Sequence, residues 1–391
     1  MDTFRLYMPT KVECGVGLSK KTGAYLKEFS PKNVLIVTDR GIIDAGLLDG
    51  IKQSLENEQI GYTIFDDVEP NPSAEVVDKG LNVLTENGCD VVLAVGGGSS
   101  IDTAKAVAVM ATNEGNILDY EGVGLIPNRS LPVVAIPTTA GTGSEVTAST
   151  IITNKETLFK AAIISPHLFP TLAILDPELT IRCPQSITAA TGMDALTHAI
   201  ESYTSKTATP ISEALALHAI KLIAKNIKKA YFVATDLESR ENMLVASMMA
   251  GYAFSQSRLG NVHAISHSFG GVFNIAHGIA NATLLPFVMK FNLPACPDKM
   301  KDIAIALGED VTGLSDEEAG ERALRAVVRL NEALNIPNNI KDLGVTLDRL
   351  PQLVNDSMRS GNVHVNPRLT TAKDIQLIIE KAYDGNLEGI H

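Results

Sequence analysis

The feature that most constrains this chain is a series of short β-branched runs, apolar on both faces, that recurs through its first part and then stops. Val34-Leu35-Ile36-Val37-Thr38, Tyr62-Thr63-Ile64-Phe65, Val91-Val92-Leu93-Ala94-Val95, Val133-Val134-Ala135-Ile136 and Leu172-Ala173-Ile174-Leu175 are separated by stretches of helical composition. A strand apolar on both faces belongs in a parallel sheet covered by helices, and alternating strands and helices build such a sheet. After Asp176-Pro177 the rhythm gives way to long Ala/Leu/Ile/Lys segments such as Ile211 to Ala230 and Glu317 to Leu334, so the second half is expected to be helical throughout. Asp176-Pro177 and Cys183-Pro184 interrupt any continuous element, which places a boundary near 180–186 and predicts an α/β domain over 1–182 and a helical domain over 183–391.

With 391 residues and 45% apolar side chains, the chain can bury a large core. Its 45 acids against 33 bases leave a formal charge of −12, with no Lys/Arg block able to neutralise a phosphate backbone, so nucleic acid is not an expected partner. The opening MDTFRLYMPTKVE has neither an apolar stretch after a basic start nor a small-residue cleavage site, and no apolar run is long enough to span a bilayer. A cytoplasmic protein without membrane association is expected. Cys14, Cys89, Cys183 and Cys296 form no CxxC pair and read as four reduced thiols.

The strand Asp90 to Val95 runs into Gly96-Gly97-Gly98-Ser99-Ser100 and then a helical stretch, Ile101 to Met110. Glycines let a backbone approach a ligand closely, and free N–H groups at a helix start attract a pyrophosphate. A glycine triplet alone fits a tight βα turn equally well. A second strand, Leu131 to Ile136, leads into Pro137-Thr138-Thr139-Ala140-Gly141-Thr142-Gly143-Ser144-Glu145, and two such loops at neighbouring strand ends would cradle a phosphate and a ribose. The strand Val34 to Thr38 ends at Asp39, placed to accept hydrogen bonds from an adenosine ribose diol and to repel a 2′-phosphate, which favours NAD over NADP. Asp39 could equally be an ordinary strand-end cap.

In Thr188 to Glu201 a helical pattern sets Asp194 and His198 four residues apart on one face. His263 and His267 repeat that spacing, and His277 follows in Ile275-Ala276-His277-Gly278. Any one of these histidines alone is more often a packed core residue. A carboxylate with several imidazoles suits a divalent first-row metal, with iron, zinc and cobalt not separable by ligand type, and it leaves room for a substrate oxygen.

GGGSSIDTAKA, PTTAGTGSEVT, GMDALTHAIESY and VHAISHSFGGVFNIAHG, in this order, resemble the diagnostic segments of the iron-containing (group III) alcohol dehydrogenases, in the branch of 1,3-propanediol, lactaldehyde and methanol dehydrogenases. The resemblance implies a Rossmann-like dinucleotide-binding domain followed by an all-helical metal-binding and catalytic domain, the two-domain architecture of dehydroquinate synthase-like proteins. It implies Fe2+, with Zn2+ an alternative, held by Asp194, His198, His263 and His277. His267 matches a position beside the nicotinamide, where it would transfer a proton or position substrate. NAD(H) contacts are implied for Asp39, Asn71, Gly97, Gly98, Ser99, Thr138, Thr139, Thr142, Lys160 and Leu179, with Asp102 orienting the glycine loop. Ser149 and Phe254 match positions lining the substrate pocket. Asn366-Pro367-Arg368 resembles a segment common in the same branch, and reads as a turn before the last helix.

The activity so implied is hydride transfer between a small primary alcohol or diol, or its aldehyde, and nicotinamide, in a homodimer or higher homo-oligomer. A bound metal would polarise the substrate oxygen, and an imidazole with an unperturbed pKa of roughly 6.5 suits the proton step. One rival on the same fold is an NAD- and metal-dependent sugar-phosphate cyclase, a lyase, whose phosphorylated substrate calls for a basic cluster that Asp194 to His277 lacks. A non-catalytic metal- or nucleotide-binding protein is the other.

Overall fold

The computed structural model describes residues 3–157 and 159–390. The chain forms two compact units, one of Met8–Cys183 with Ala234–Met248, the other of Met1–Tyr7, Pro184–Val233 and Met249–His391.

In the first unit the strands are β1 (Lys11–Cys14), β2 (Val34–Val37), β3 (Tyr62–Phe65), β4 (Val91–Gly96), β5 (Gly122–Val123), β6 (Val133–Pro137), β7 (Ser149–Asn154), β8 (Phe159–Ile164) and β9 (Leu172–Leu175). Six of them make one sheet in the order β1-β9-β6-β4-β2-β3, and every neighbouring pair is parallel. Its helices are α1 (Thr22–Leu26), α2 (Arg40–Asp44), α3 (Asp49–Asn57), α4 (Ala74–Glu86) and α5 (Gly98–Met110). Alternate residues of one strand enter different cores. Leu35, Val37, Val92 and Ala94 join a buried cluster with Val107 and Val77, whereas Val34, Ile36, Leu93 and Val95 join one with Ile51 and Leu55. With both faces covered by helices, both must be apolar, which is why these strands show no polar alternation.

The strand order reverses at β2, which has β3 on one side and β4 on the other although β3 precedes β4 in the chain. In an open parallel sheet such a reversal opens a crevice outside the carboxyl ends of the two strands, where ligands bind. Here those ends are Thr38-Asp39 and Gly96-Gly97-Gly98.

Two strand groups carry no comparable sequence signal. Lys11–Cys14 is an edge strand of four residues, each partly or fully exposed, so burial does not select its side chains. A second, three-stranded sheet joins β5 in parallel and β7 antiparallel to β8, and its buried positions are shared between apolar residues such as Ile152 and Ile163 and polar ones such as Thr150 and Lys160.

The second unit is built from α6 (Gln185–Thr204), α7 (Pro210–Phe232), the end of α8 (Leu237–Ser257), α9 (Asn261–Phe273), α10 (His277–Asn292), α11 (Pro297–Ala306), α12 (Asp316–Ala333), α13 (Leu350–Arg359) and α14 (Ala372–Asp384). Residues 188–204 of α6 are buried apart from Thr191, and this helix packs against α7 and α10 while α9 packs against α10 and α13. Pro286 lies inside α10. Proline has no N–H for the carbonyl four residues back. That carbonyl, on Ala282, instead accepts a 2.8 Å hydrogen bond from Asn331 Nδ2 of α12. Among the described residues, no helix is long and apolar enough to cross a membrane.

Leu93, fully buried in β4 between two paired strands, anchors the sheet centre. Leu93→Ala is expected to cost about 2–5 kcal/mol of unfolding free energy, read from urea denaturation. A loss below about 1 kcal/mol would show that the sheet centre is not where this unit holds its stability.

Candidate functional site

The loops that follow β2, β4 and β6 meet at their carboxyl ends. Thr138 N–H donates to the Gly96 carbonyl at 3.0 Å, and Thr38 Oγ1 donates to the Val95 carbonyl at 2.8 Å. Gly96 has φ +154°, and a Cβ there would lie 2.4 Å from Ser100 Oγ. A Cβ on Gly98 would stand 2.6 Å from Thr142 Cγ2, so the Pro137–Glu145 loop packs where any larger residue would put its side chain. Gly97 faces Thr139 in the same way at 3.4 Å. Gly97 is also the N-cap of α5 and supplies no side-chain cap, unlike the capping boxes that close α7, α12 and α14. The first N–H groups of α5, on Gly98 and Ser99, thus open on a narrow backbone cradle suited to an anion.

Asp39 Oδ1 accepts from Ile42 N at 3.2 Å as the N-cap of α2, while its Oδ2 accepts from Ser100 Oγ at 3.4 Å. It therefore caps a short helix and also borders the glycine loop. Asp102 accepts from Ser144 Oγ at 2.5 Å and from Ile151 N at 2.9 Å, which ties the Thr139–Ser144 loop and β7 to α5. Lys160 Nζ donates to Asn71 Oδ1 at 2.8 Å, and Asn71 has a left-handed φ of 54°. Leu179 is buried beyond β9 in the same cluster as Val95 and Ile136. Ser149 opens β7, and its carbonyl accepts at 2.7 Å from Lys105 Nζ.

Lys105 is fully buried and also donates to Thr147 Oγ1 at 3.1 Å. Burial lowers its pKa, with Asp102 and Glu145 acting against that, and burial pushes the Glu145 carboxyl up to about 7. Sequence reading singled out neither residue, because a charged side chain within a helix normally signals its exposed face.

In the helical unit, one ligand atom from each of Asp194, His263 and His277 lies within 4.8 Å of the others. Asp194 Oδ1 is 3.9 Å from Nε2 of His198, of His263 and of His277 alike. Ligand atoms around a tetrahedral ion at about 2.1 Å stand about 3.4 Å apart, so small side-chain shifts close the shell. The rings are mutually packed: His198 stacks on His263 with centroids 4.6 Å apart and on Phe254 at 4.6 Å, and His267 stacks on His277 at 5.1 Å. His277 begins α10, and a Cβ on the next residue, Gly278, would come within 2.4 Å of the Ala190 carbonyl of α6. The glycine lets the start of α10 press on α6 and delivers His277 to Asp194.

Two further side chains touch this set. Asn281 Nδ2 donates to Asp194 Oδ1 at 2.7 Å and lies 3.0 Å from His263 Nε2 and 3.1 Å from His277 Nε2, while its buried Oδ1 has no hydrogen-bond partner. Glu201 Oε2 is 2.5 Å from His263 Nδ1, and its Oε1 accepts from Val262 N at 2.6 Å. Burial pushes the Glu201 carboxyl up to about 7, against the backbone N–H groups of Val262, Gly260 and His263. Burial also holds His263 well below the usual imidazole range, with His198 adding to the effect and Asp194 opposing it. Sequence reading gave neither residue a role, although Glu201 lies seven residues after Asp194 and Asn281 four after His277, each on the same helix face as that residue.

The donor chemistry fits a divalent ion. One carboxylate and the imidazoles of His263 and His277 converge, with His198 near Asp194 but outside that mutually close set, the lone pairs of the two imidazoles and one carboxylate oxygen crowd round a single amide, and an unpaired amide oxygen is buried beside them.

Asn366, in the segment Asn366-Pro367-Arg368, is fully buried and does more than turn the chain. Its Oδ1 accepts from Asn261 N at 3.3 Å, its Nδ2 donates to Asn292 Oδ1 at 2.8 Å, and Arg368 donates to the Phe291 carbonyl at 2.8 Å.

Residues 9–177 match the family model described as iron-containing alcohol dehydrogenase, and residues 188–383 match that of the Fe-containing alcohol dehydrogenase family, C-terminal. The chain is 44% identical over 354 residues to 1,3-propanediol dehydrogenase of Klebsiella pneumoniae, covering 90% of this chain and 92% of the relative. It is 41% identical over 376 residues to NAD-dependent methanol dehydrogenase of Bacillus methanolicus, covering 96% and 99%. The crystal structure of a 1,3-propanediol oxidoreductase superposes with a TM-score of 0.95 at 41% identity, covering 98% of this chain and all of that one. A parallel-sheet, Rossmann-like unit with a helical partner unit, an Asp/His cluster and matches along almost the whole length lead to one assignment: the chain belongs to the iron-containing alcohol dehydrogenase family.

Proposed function

We propose that the protein is an NAD-linked alcohol dehydrogenase and aldehyde reductase acting on small primary alcohols or diols and their aldehydes, with Asp194, His198, His263 and His277 as the metal ligands. The observation that carries this is the common 3.9 Å spacing of three imidazole nitrogens about one carboxylate oxygen. A divalent iron held there by these four residues, with zinc the alternative, would supply Lewis acidity toward a substrate oxygen, and bound NAD(H) would supply the hydride acceptor or donor.

The chain's own residues do the rest. Residues 1–182 serve as the dinucleotide-binding domain, where Gly97, Gly98 and Ser99 offer amides to the pyrophosphate and Thr138, Thr139 and Thr142 line the facing loop. Asp39 accepts from the adenosine ribose, Asn71 and Lys160 act as a pair on the cofactor, Leu179 packs against it, and Asp102 keeps the two loops in register. Residues 183–391, apart from Ala234–Met248, which cluster with the first unit, serve as the metal-binding and catalytic domain, in which His267 takes the hydroxyl proton at its imidazole nitrogen and returns it in reduction. Phe254, stacked on His198, is assigned to substrate contact in the helical unit, and Ser149 to substrate contact in the α/β unit. The protein works in the cytoplasm as a homodimer or larger homo-oligomer, as the family resemblance implies.

An anaerobic NAD(H) assay over short alcohols, diols and aldehydes, run with iron and zinc forms in parallel, tests the activity. Absence of nicotinamide-linked turnover on every one of these would refute it and favour the cyclase or the binding protein. His263→Ala is expected to lower metal content to background and abolish turnover while NADH still quenches or shifts fluorescence on binding. Full turnover by metal-free His263→Ala protein would sink the metal-centre reading. Asp39→Gly should relax the preference for NAD over NADP in kcat/KM. Glycine is tolerated at an N-cap with a loss of only a few tenths of a kcal/mol, so the change reports cofactor recognition rather than unfolding. An unaltered preference would show that Asp39 does not face the ribose.

A further inference from the structure

We infer that Glu201 is a positioning residue that fixes the tautomer of His263 and, through the same carboxylate, holds the start of α9, so that one side chain sets both the direction and the electronic state of a metal ligand. This rests on the metal-centre reading of Asp194, His198, His263 and His277.

The tautomer follows from both ring nitrogens. At Nδ1 the neighbour is a Glu201 oxygen 2.5 Å away, and since a neutral imidazole carries one N–H and its Nε2 faces a donor, that N–H sits at Nδ1 and the Glu201 oxygen accepts it. At Nε2 the neighbour is the Asn281 amide nitrogen at 3.0 Å, a donor, so Nε2 is the bare acceptor. The two partners demand the same form, in which the free lone pair of Nε2 is directed toward Asp194 and His277. A carboxylate behind a ligating imidazole also makes the ring a stronger donor, which is how outer partners tune metal sites.

The other oxygen of Glu201 acts on the backbone. Oε1 accepts from Val262 N at 2.6 Å, and Asn366 Oδ1 accepts from the preceding Asn261 N at 3.3 Å. Two acceptors thus close the first turn of α9, which has no side-chain cap of its own. They converge on Gly260, where a Cβ would lie 3.0 Å from each, and this explains a glycine at that N-cap. Glu201 therefore couples the backbone position of the α9 start to the rotation of the ring two residues further on. Asn366 shares only the first of these tasks.

The substitution Glu201→Gln separates them. A glutamine can still accept from Val262 N, but its amide NH2 then faces Nδ1, which must become an acceptor. The proton moves to Nε2, onto the atom that should meet the metal.

The test has three readings on the full chain. First, a long-range 15N–1H spectrum of histidine-labelled, metal-free wild-type protein, assigned by difference against His263→Ala, should show His263 protonated at Nδ1; protonation at Nε2 overturns the inference without any variant at position 201. Second, Zn2+ affinity by competition with a chromophoric chelator, repeated anaerobically with Fe2+, should fall by about 10- to 100-fold in Glu201→Gln, with Glu201→Asp recovering part of the loss because it keeps an acceptor at Nδ1. Wild-type affinity in Glu201→Gln overturns the inference. Third, Asn366→Ala should lower the melting temperature of the metal-free protein while leaving Zn2+ affinity within about threefold of wild type; an equal loss of affinity in Asn366→Ala would mean that helix placement alone explains the effect, and overturns the tautomer role. Wild-type protein that binds neither ion would overturn the metal-centre reading itself, whereas tight wild-type binding with an indifferent Glu201→Gln overturns only the role of Glu201.

Discussion

The helical unit is organised by what it costs to bury polar side chains. Asp194, His198 and Glu201 lie on one face of a helix whose surroundings are otherwise apolar, and all three are almost fully buried. An ionised carboxylate in such a place is strongly unfavourable unless hydrogen bonds or an opposite charge meet it. The partners must come from neighbouring helices, and they do: Asn281 from α10 reaches Asp194, and His263 with the Val262 amide from α9 reaches Glu201. The approach of α9 and α10 to α6 is therefore fixed by polar pairing as well as by apolar packing. Gly278 and Gly260 are the points where side chains had to be omitted for the approach to succeed.

The α/β unit solves a different binding problem with different means. Its cradle is made of backbone, at Gly96, Gly97 and Gly98, and the side chains around it serve chiefly to hold loops in place. Asp102 bonds Ser144 and Ile151, and Lys105 bonds Thr147 and the Ser149 carbonyl, so a single turn of α5 anchors the threonine loop and the β7–β8 hairpin together. A cradle of amides has no preferred base or substituent of its own, so any selectivity there has to come from bordering side chains, of which Asp39, bonded to Ser100, is one. The metal cluster is the reverse case, since its chemistry resides wholly in side chains and its selectivity in their spacing.

Much of this was legible in the sequence, for stated reasons. The five main strands were readable because burial on both faces forces continuous apolar runs, and the long helices because their composition and caps are regular. A spacing of four set Asp194 with His198 and His263 with His267 as candidate pairs on shared helix faces, whereas the preference for His277 over His267 as a ligand came from the family resemblance alone. What escaped reading is equally instructive. Lys11–Cys14 is half exposed, so burial does not filter its residues, and the second sheet buries polar Thr150 and Lys160 beside Ile152 and Ile163, which breaks the continuous apolar run. Glu201 and Asn281 stand at ligand spacing yet look like surface polar residues of a helix until the neighbouring helices are in place. Asn366 reads locally as a turn, and its bonds to Asn261 and Asn292 span 105 and 74 residues, which no local pattern records.

Pro286 and Asn331, forty-five positions apart, are bound into one unit by the Ala282 carbonyl. The proline removes a donor from the middle of α10, and the asparagine returns one from α12. Neither residue has a reason to persist alone: with an ordinary amide at 286 the helix would satisfy its own carbonyl, and position 331 would be released to become as greasy as its surroundings. With the proline retained and the asparagine lost, a bare carbonyl would be sealed in the interior. Drift at these two sites should accordingly be concerted, and a descendant that shed one would be under pressure to shed the other.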